Sequence, residues 1–199
     1  MRTHRFGHRL KPYFKELSGK GPFGGGSSAA AAGALGAALL LKAIAYSLSG
    51  KTGEARKKLH ARKREALRIR TGFSSCVDRD AALFSAYMTA TGKKRKQAAL
   101  RRSAQLVLSV CDLSRAGVAC IKKTYKSVKP WIFSDIMVSF LLFDAALRSS
   151  WCNVVINNRV LKDTTLSRAA EEILRTGEEN KKVWRVLQKE FLDGAVAKR

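Results

Sequence analysis

The sequence is short of acidic residues, of proline and of paired cysteines. Of its 199 residues, 15 are Asp or Glu against 39 Lys or Arg, so the net charge is +24. It has only three prolines and four cysteines, and no two cysteines have CxxC spacing. We therefore expect no metal site and no disulfide framework, and we expect the cysteines to be mostly buried in a reducing compartment, the cytoplasm. Scarce proline among abundant Ala, Leu, Lys and Arg indicates helices.

No apolar stretch reaches the roughly 20 residues that a membrane-spanning helix needs. The longest unbroken one, residues 29–41, has 13 residues, is mostly Ala, Gly and Leu, and is followed by Lys42. We therefore expect this stretch to form a buried helix of a soluble protein rather than a membrane anchor. With 46% hydrophobic residues, the chain is also too apolar for a disordered basic tail.

Apolar residues recur at helical spacing along most of the chain. This pattern predicts an all-α, single-domain bundle of five to six helices, with one long helix and no strand. Ser27 and Ser134 are expected to cap the second and fifth helices. We predict one domain over residues 10–193, a basic N-terminal extension over 1–9 and a C-terminal tail over 194–199. The expected helices cover residues 10–18, 28–49, 54–91, 95–126, 135–157 and 165–193.

The segment Gly24-Gly25-Gly26-Ser27 runs directly into the second predicted helix. Three glycines let a ligand approach the backbone closely, and the first N–H groups of a helix have no acceptor within it. The helix dipole adds a preference for a negative or carbonyl-rich group. The segment is therefore either a ligand-binding loop or a flexible linker.

Asp80 lies on the apolar side of the long helix. At 100° per residue it falls within 40° of Phe73, whereas Asp78 points about 140° away and is expected to be solvated. Burial disfavours a charged carboxylate, so we expect a raised pKa that suits an acid or base near neutral pH. The alternative is a buried structural ion pair.

A polar seam follows the fifth predicted helix. Ser139, Ser149, Asn153 and Asn157 lie within 40° of Asp135 on an otherwise apolar helix. Such a seam usually faces a ligand or a polar network whose hydrogen bonds are satisfied. Asp135 also sits in the first helical turn, where a carboxylate stabilises the helix dipole.

Half of the net charge lies between residues 51 and 102, which carry 16 basic and 4 acidic side chains. A positive surface of this kind attracts polyanions. The basic runs contain no aromatic residues for base stacking, and no zinc-finger, RRM or KH signature is present. Nucleic-acid binding is therefore an alternative that depends on charge alone.

Three of these blocks, in this order, resemble the cyclodeaminase/cyclohydrolase family, which acts on one-carbon tetrahydrofolates. The first is the glycine-rich loop with its Ala/Gly helix, the second is a D-x-x-A-F-like segment, and the third runs from an S-D pair to an N-V-x-I-N stretch. They are GGGSSAAAAGALGAALL (Gly24–Leu40), DAALF (Asp80–Phe84) and SDIMVSFLLFDAALRSSWCNVVINNRVLKD (Ser134–Asp163).

The resemblance implies an all-helical bundle, usually a homodimer, that binds folate in a cleft near the subunit interface without a metal or organic cofactor. It implies hydrolysis of 5,10-methenyltetrahydrofolate to 10-formyltetrahydrofolate, with Asp80 as acid and base. Asp135 and Asn153 would bind the pterin, and Gly24, Gly25, Gly26 and Ser27 would supply donors. The folate carries one glutamate or several.

The alternative reaction within the family is the cyclodeaminase reaction, in which 5-formimidoyltetrahydrofolate cyclises and releases ammonia. Hydrolysis is preferred at this point because the sequence contains no formimidoyltransferase domain. A further alternative is a basic relative that binds nucleic acid or has no catalytic role. Three positions depart from the family pattern: Phe23 replaces a usual proline, Leu83 replaces an alanine, and Thr91-Gly92 replaces Leu-Pro.

Overall fold

The computed structural model describes residues 6–196, and its regular elements are six α-helices and two short 3₁₀ turns. This confirms the predicted all-α fold of a single domain, in which α3, at 37 residues, is the longest of the described helices. The first five residues of the extension predicted over 1–9 lie outside the described residues, as do the last three of the tail predicted over 194–199. The helices are α1 (Phe6–Ser18), α2 (Gly25–Leu48), α3 (Gly53–Thr89), α4 (Lys93–Thr124), α5 (Phe133–Leu161) and α6 (Thr164–Val196), with 3₁₀ turns at Tyr125–Ser127 and Pro130–Ile132.

Both predicted serine caps are wrong. The cap of α2 is Gly24, and Ser27 lies in the first turn, where its hydroxyl accepts a hydrogen bond from the Gly24 N–H at 2.8 Å. Helix α5 begins at Phe133, directly after a 3₁₀ turn, so Ser134 is already helical. A serine in the first turn of a helix can accept a hydrogen bond from the N–H of the cap residue. Sequence spacing alone does not distinguish such a serine from one that is itself the cap.

Helix α2 lies at the centre of the bundle and packs along α3 and α5. The four-residue spacing of Ala29, Gly33 and Ala37 predicts close approach of another helix, and all three residues are buried. A Cβ atom on Gly33 would lie 2.3 Å from the ring of Phe73 on α3. The small side chains of α2 therefore let its two neighbours pack against its backbone.

The remaining helices close the bundle around an aromatic core. Phe73 of α3 stacks on Phe143 of α5, with ring centroids 6.0 Å apart. Helix α4 packs against both α3 and α5, and α6 packs on α5. The α5–α6 contact is partly polar, since Arg148 of α5 donates to the Gly177 carbonyl of α6 at 2.7 Å and to Asp144 of its own helix at 2.7 Å. Of the four cysteines, three are buried, as expected, and Cys152 is exposed.

Three helical segments are long and apolar enough, by length and composition, to cross a membrane: Gly25–Leu48, Lys93–Ser127 and Pro130–Leu161. Between 44% and 56% of each apolar window is buried against the rest of the chain. The sequence expectation of a soluble, cytoplasmic protein stays a prediction.

Candidate active site

One cleft of about 350 Å³ opens where the start of α2 meets the C-terminal halves of α3 and α5 and the first half of α4. Two of its polar side chains, Asp80 and Asn153, lie beside the glycine segment and form the polar end of the cleft, and most of its other lining residues are apolar. This is the combination that small-molecule sites typically have. It is lined by Gly21, Pro22, Phe23, Gly24, Gly25, Gly26, Asp80, Leu83, Phe84, Tyr87, Leu100, Ser103, Asn153, Ile156, Asn157 and Val160.

Asp80 lies against the first turn of α2. A Cβ atom on Gly26 would be 2.3 Å from Asp80 Oδ1 and 2.7 Å from its Cγ, so only glycine leaves room for the carboxylate. The Gly25, Gly26 and Ser27 N–H groups have no acceptor within the helix, because the first intrahelical bond runs from Ser28 to Gly24. The three-glycine segment therefore has a specific function here, which is to bring a helix N-terminus onto a carboxylate.

Two opposing effects set the pKa of Asp80. Burial raises it above the ordinary value of 3.8, and a hydrogen bond from the Ser27 backbone, the smaller effect, lowers it. The apolar side chains of Leu106, Val107 and Val110 line a small space beside the carboxyl group. The net pKa is raised, as the position of Asp80 on the helix predicts, whereas Asp78 is exposed.

Asn153 and Asn157 line the cleft from α5, one helical turn apart. The side-chain amide of Asn153 donates to the Ser149 carbonyl at 3.0 Å, and its Oδ1 lies 3.7 Å from where a Cβ of Gly25 would be. The C-terminal end of the predicted polar seam therefore faces the cleft. Asn157, one turn further along the same seam, joins Asn153 there.

Asp135 lies at the opposite end of α5. It is 18 residues before Asn153, which is about 27 Å along a helix. Its carboxylate forms an ion pair with Lys42 of α2 at 2.8 Å. The structure therefore does not bring Asp135 to the cleft of its own chain, since a shared angular position on a helix fixes a direction but not a depth along it.

Ser27 is fully buried, and its hydroxyl is engaged with both the N–H and the carbonyl of Gly24. Only its backbone N–H faces the site, through the hydrogen bond to Asp80. Gly24, Gly25 and Gly26 all line the cleft. Of the four predicted donors, the Gly24 N–H is bound by the Ser27 hydroxyl and the Ser27 N–H by Asp80, so the Gly25 and Gly26 N–H groups are the ones left for a ligand.

Sequence reasoning missed the apolar wall of the cleft. Leu83, Phe84 and Tyr87 follow Asp80 at three, four and seven residues, so they share its face of α3. Phe84 is 46% exposed although it lies on the apolar stripe, because the stripe continues beyond the core into the cleft. Two of the three departures from the family pattern, Phe23 and Leu83, are wall residues of this cleft.

A second cavity, about 440 Å³, lies at the other end of the bundle between the Tyr125–Phe133 connection and the end of α6. It is lined mainly by aromatic and aliphatic side chains, and its carboxylate, Glu190, is exposed. It is larger but offers no buried titratable group, so the cleft at Asp80 is the better candidate for chemistry. Within residues 6–196, no three His, Cys, Asp or Glu side chains come close enough together to hold a metal ion.

The fold and the cleft define a class: an all-helical bundle in which a glycine-capped helix meets a partly buried carboxylate in a small-molecule site. Comparison with known proteins identifies the family. The formiminotransferase-cyclodeaminase family model matches residues 9–176. The chain therefore belongs to this family of folate enzymes and is an enzyme of this kind.

A solved structure has the same fold. It is the crystal structure of formiminotetrahydrofolate cyclodeaminase from Thermotoga maritima, with a TM-score of 0.80 and 21% sequence identity. The match covers 94% of this chain and 96% of that one. No curated protein matches the sequence significantly. The family predicted from the glycine segment, Asp80 and the S-D to N-V-x-I-N stretch is confirmed, and the homodimer stays a prediction.

Proposed function

We propose that this chain is a formimidoyltetrahydrofolate cyclodeaminase, with Asp80 as its proton-transfer group. The observation that supports this most is the partly buried carboxyl group held against the N-terminus of α2 at the polar end of the cleft. A carboxyl group with a raised pKa can both accept and donate a proton near neutral pH. The cyclodeaminase reaction needs both transfers.

The reaction closes a five-membered ring and expels one nitrogen. The formimidoyl group on N5 reacts as its protonated amidinium, –CH=NH2⁺. The lone pair of N10 attacks its carbon, a new C–N10 bond forms, and the C=N bond becomes a single bond to a neutral NH2 group. Asp80 accepts the proton that N10 loses and donates it to the departing nitrogen. The C–N bond to that nitrogen then breaks, ammonia leaves, and the 5,10-methenyl cation remains. One group suffices, because the proton taken in the first half returns in the second.

The cleft also suits the other parts of a folate. The flat pterin would lie against the apolar side chains of Phe84, Tyr87 and Ile156, and Asn153 would hydrogen-bond its edge. The free N–H groups of Gly25 and Gly26 would hold a carbonyl or a developing negative charge. We assign Asn153 and the glycines to substrate binding and give Asp135 no role in the cleft of its own chain.

A basic groove lies beside the cleft and suits the glutamate end of the substrate. It has a volume of about 340 Å³, shares Leu83 with the cleft and carries Arg79 and Arg102 at its rim. Both arginines are exposed, so they can bind carboxylates at modest desolvation cost. This groove supports a folate with one or several glutamates as the substrate.

The choice of ring closure over hydrolysis reverses the preference drawn from the sequence. That preference depended on the lack of a transferase domain. The solved cyclodeaminase is covered over 96% of its length by this chain, so a protein of that name is itself essentially one such domain. Hydrolysis of 5,10-methenyltetrahydrofolate stays the second candidate, since the same carboxyl group could activate water.

The two reactions are separated by one pair of assays on the purified chain. With 5-formimidoyltetrahydrofolate, ring closure produces the methenyl chromophore together with an equal amount of ammonia. With 5,10-methenyltetrahydrofolate, hydrolysis removes the chromophore and releases no ammonia. We expect fast turnover in the first assay and little enzyme-dependent change in the second. The reverse result would assign hydrolysis, and no turnover in either would contradict a folate enzyme at this cleft.

A further inference from the structure

The first half of α3 presents a strongly basic surface that the folate cleft does not use. Six of its cations are exposed and lie within an arc of about 160° around the helix, at 100° per residue. Their mean direction lies about 130° from that of Leu59, Ala66 and Ile69, which are buried in the core. The six, called the α3 basic face below, are Arg56, Lys57, Lys63, Arg64, Arg68 and Arg70.

The charges of the α3 basic face are not neutralised by the protein. Among residues 6–196, no carboxylate forms an ion pair with any of the six. The nearby Glu65 is engaged by Arg62 and by Lys123 of α4. Through this contact the end of α4 lies beside α3, and Lys122 and Lys126 near that end are also exposed. The local field is therefore positive over two adjacent helices.

This surface is remote from the proposed catalytic group. Arg68 precedes Asp80 by 12 residues on the same helix, about 18 Å, and Arg56 precedes it by 24, about 36 Å. A substrate the size of a folate in the cleft does not require cations at that distance. The charge of the face therefore suits an extended polyanion other than the folate substrate.

We propose that the α3 basic face binds the phosphate backbone of double-helical nucleic acid, independently of base sequence. From Arg56 to Arg70 the face is about 21 Å long, which matches roughly six base pairs at 3.4 Å each. Four of the six cations are arginines, whose planar guanidinium groups pair with phosphate in a bidentate manner. A straight helix lying along the backbone would place several of them on successive phosphates.

The composition of the face favours a duplex over the other polyanions. It contains no aromatic side chain between residues 56 and 70, and single-strand binding uses aromatic stacking on bases. A membrane-surface helix inserts an apolar face into lipid. The apolar side of the first half of α3 is instead buried in the bundle, and among the large apolar residues of that half only Leu67 is exposed, at 45%. The exposed groups of the face are therefore mainly cations, which bind phosphates and do not distinguish between bases.

The test compares two triple variants that remove the same charge. One is Lys57→Gln/Arg64→Gln/Arg68→Gln on the α3 basic face, and the control is Lys182→Gln/Arg185→Gln/Lys189→Gln, at exposed positions of α6. Fluorescence anisotropy measures binding to a random 20-base-pair DNA duplex between 50 and 300 mM salt. Circular dichroism checks that each variant keeps its helices.

For the wild type we expect log K to fall with log salt at a slope of about −4.5, the value for five phosphate contacts. The α3 variant should lose about 2.7 from the slope and bind at least ~10-fold more weakly at 0.1 M salt, because three contacts are gone. The α6 variant should bind like the wild type. Cyclodeaminase turnover should stay within about two-fold in both variants, so this test and that of the proposed function fail separately.

Three results would overturn the proposal. Equal weakening in the α3 and α6 variants would mean that net charge alone attracts DNA. Tighter binding to a 20-nucleotide single strand, or to vesicles with 30% phosphatidylserine, would assign the face to a different polyanion. Binding to the duplex that does not depend on salt would exclude backbone contacts.

Discussion

The contact between Gly26 and Asp80 gives the sharpest prediction. In Gly26→Ala, the new Cβ would lie 2.3 Å from Oδ1, 2.7 Å from Cγ and 2.8 Å from Oδ2 of Asp80. An ordinary contact begins near 3.4 Å, so the carboxylate must retreat by about 1 Å. A misplacement of that size costs on the order of 100-fold in rate, or about 2.7 kcal/mol of transition-state stabilisation. The same overpacking costs about 1–3 kcal/mol of folding stability, partly offset by the better helix propensity of alanine.

The assay is steady-state ammonia release from 5-formimidoyltetrahydrofolate, with thermal unfolding measured on the same preparation. Gly25→Ala is the matched control, because its Cβ would lie 3.7 Å from Asn153 Oδ1, an ordinary contact. We expect a much smaller loss of kcat/KM in that neighbour. If folded Gly26→Ala keeps kcat/KM within about two-fold of the wild type, the close approach of α2 to Asp80 is irrelevant to catalysis.

Three further predictions concern stability. The folded chain holds the Asp80 proton more tightly than the unfolded chain, so the stability of the wild type falls as pH rises above 3.8 towards the raised pKa. Asp80→Asn does not lose this stability, so the difference in Tm between the variant and the wild type should be more favourable to the variant at pH 7 than at pH 3. The opposite order would contradict a raised pKa. Gly33→Ala places a Cβ 2.3 Å from the Phe73 ring and should cost about 1–3 kcal/mol in urea unfolding, while Gly7→Ala, with nothing within 4 Å, should cost nothing. Arg148→Ala removes hydrogen bonds to Asp144 and to the Gly177 carbonyl of α6 and should cost about 1–3 kcal/mol; an unchanged midpoint would mean that this link does not hold α6 to the bundle.

The helices could be predicted from the sequence because the bundle buries one side of each helix. The position of Asp80 on the apolar side of α3 required only the period of the helix, and its raised pKa agrees with that position. The four-residue spacing along α2 likewise predicted the close approach of another helix, and the structure shows this approach where Gly33 meets Phe73 of α3. These features depend on neighbours three or four residues apart, which periodicity reports well.

The position of the site along the axis of each helix could not be predicted from the sequence. Asp135 and Asn153 share an angular position on α5, yet one lies beside Lys42 and the other in the cleft. Only the packing of α2 between α3 and α5 decides which end of the seam meets the glycine segment. Ser27 shows the same limit of sequence reasoning on a smaller scale. The sequence predicts it as the helix cap, whereas the cap lies three residues earlier and the Ser27 hydroxyl is buried and supports it.

The central claim, that Asp80 transfers the proton in this cleft, is tested most directly by Asp80→Asn. The measurement is kcat for ammonia release from 5-formimidoyltetrahydrofolate, with folate binding measured by fluorescence quenching on the same protein. We predict a loss of at least ~100-fold in kcat with folate affinity largely retained, because asparagine keeps the shape but cannot exchange a proton. A folded variant with near wild-type kcat would contradict the account.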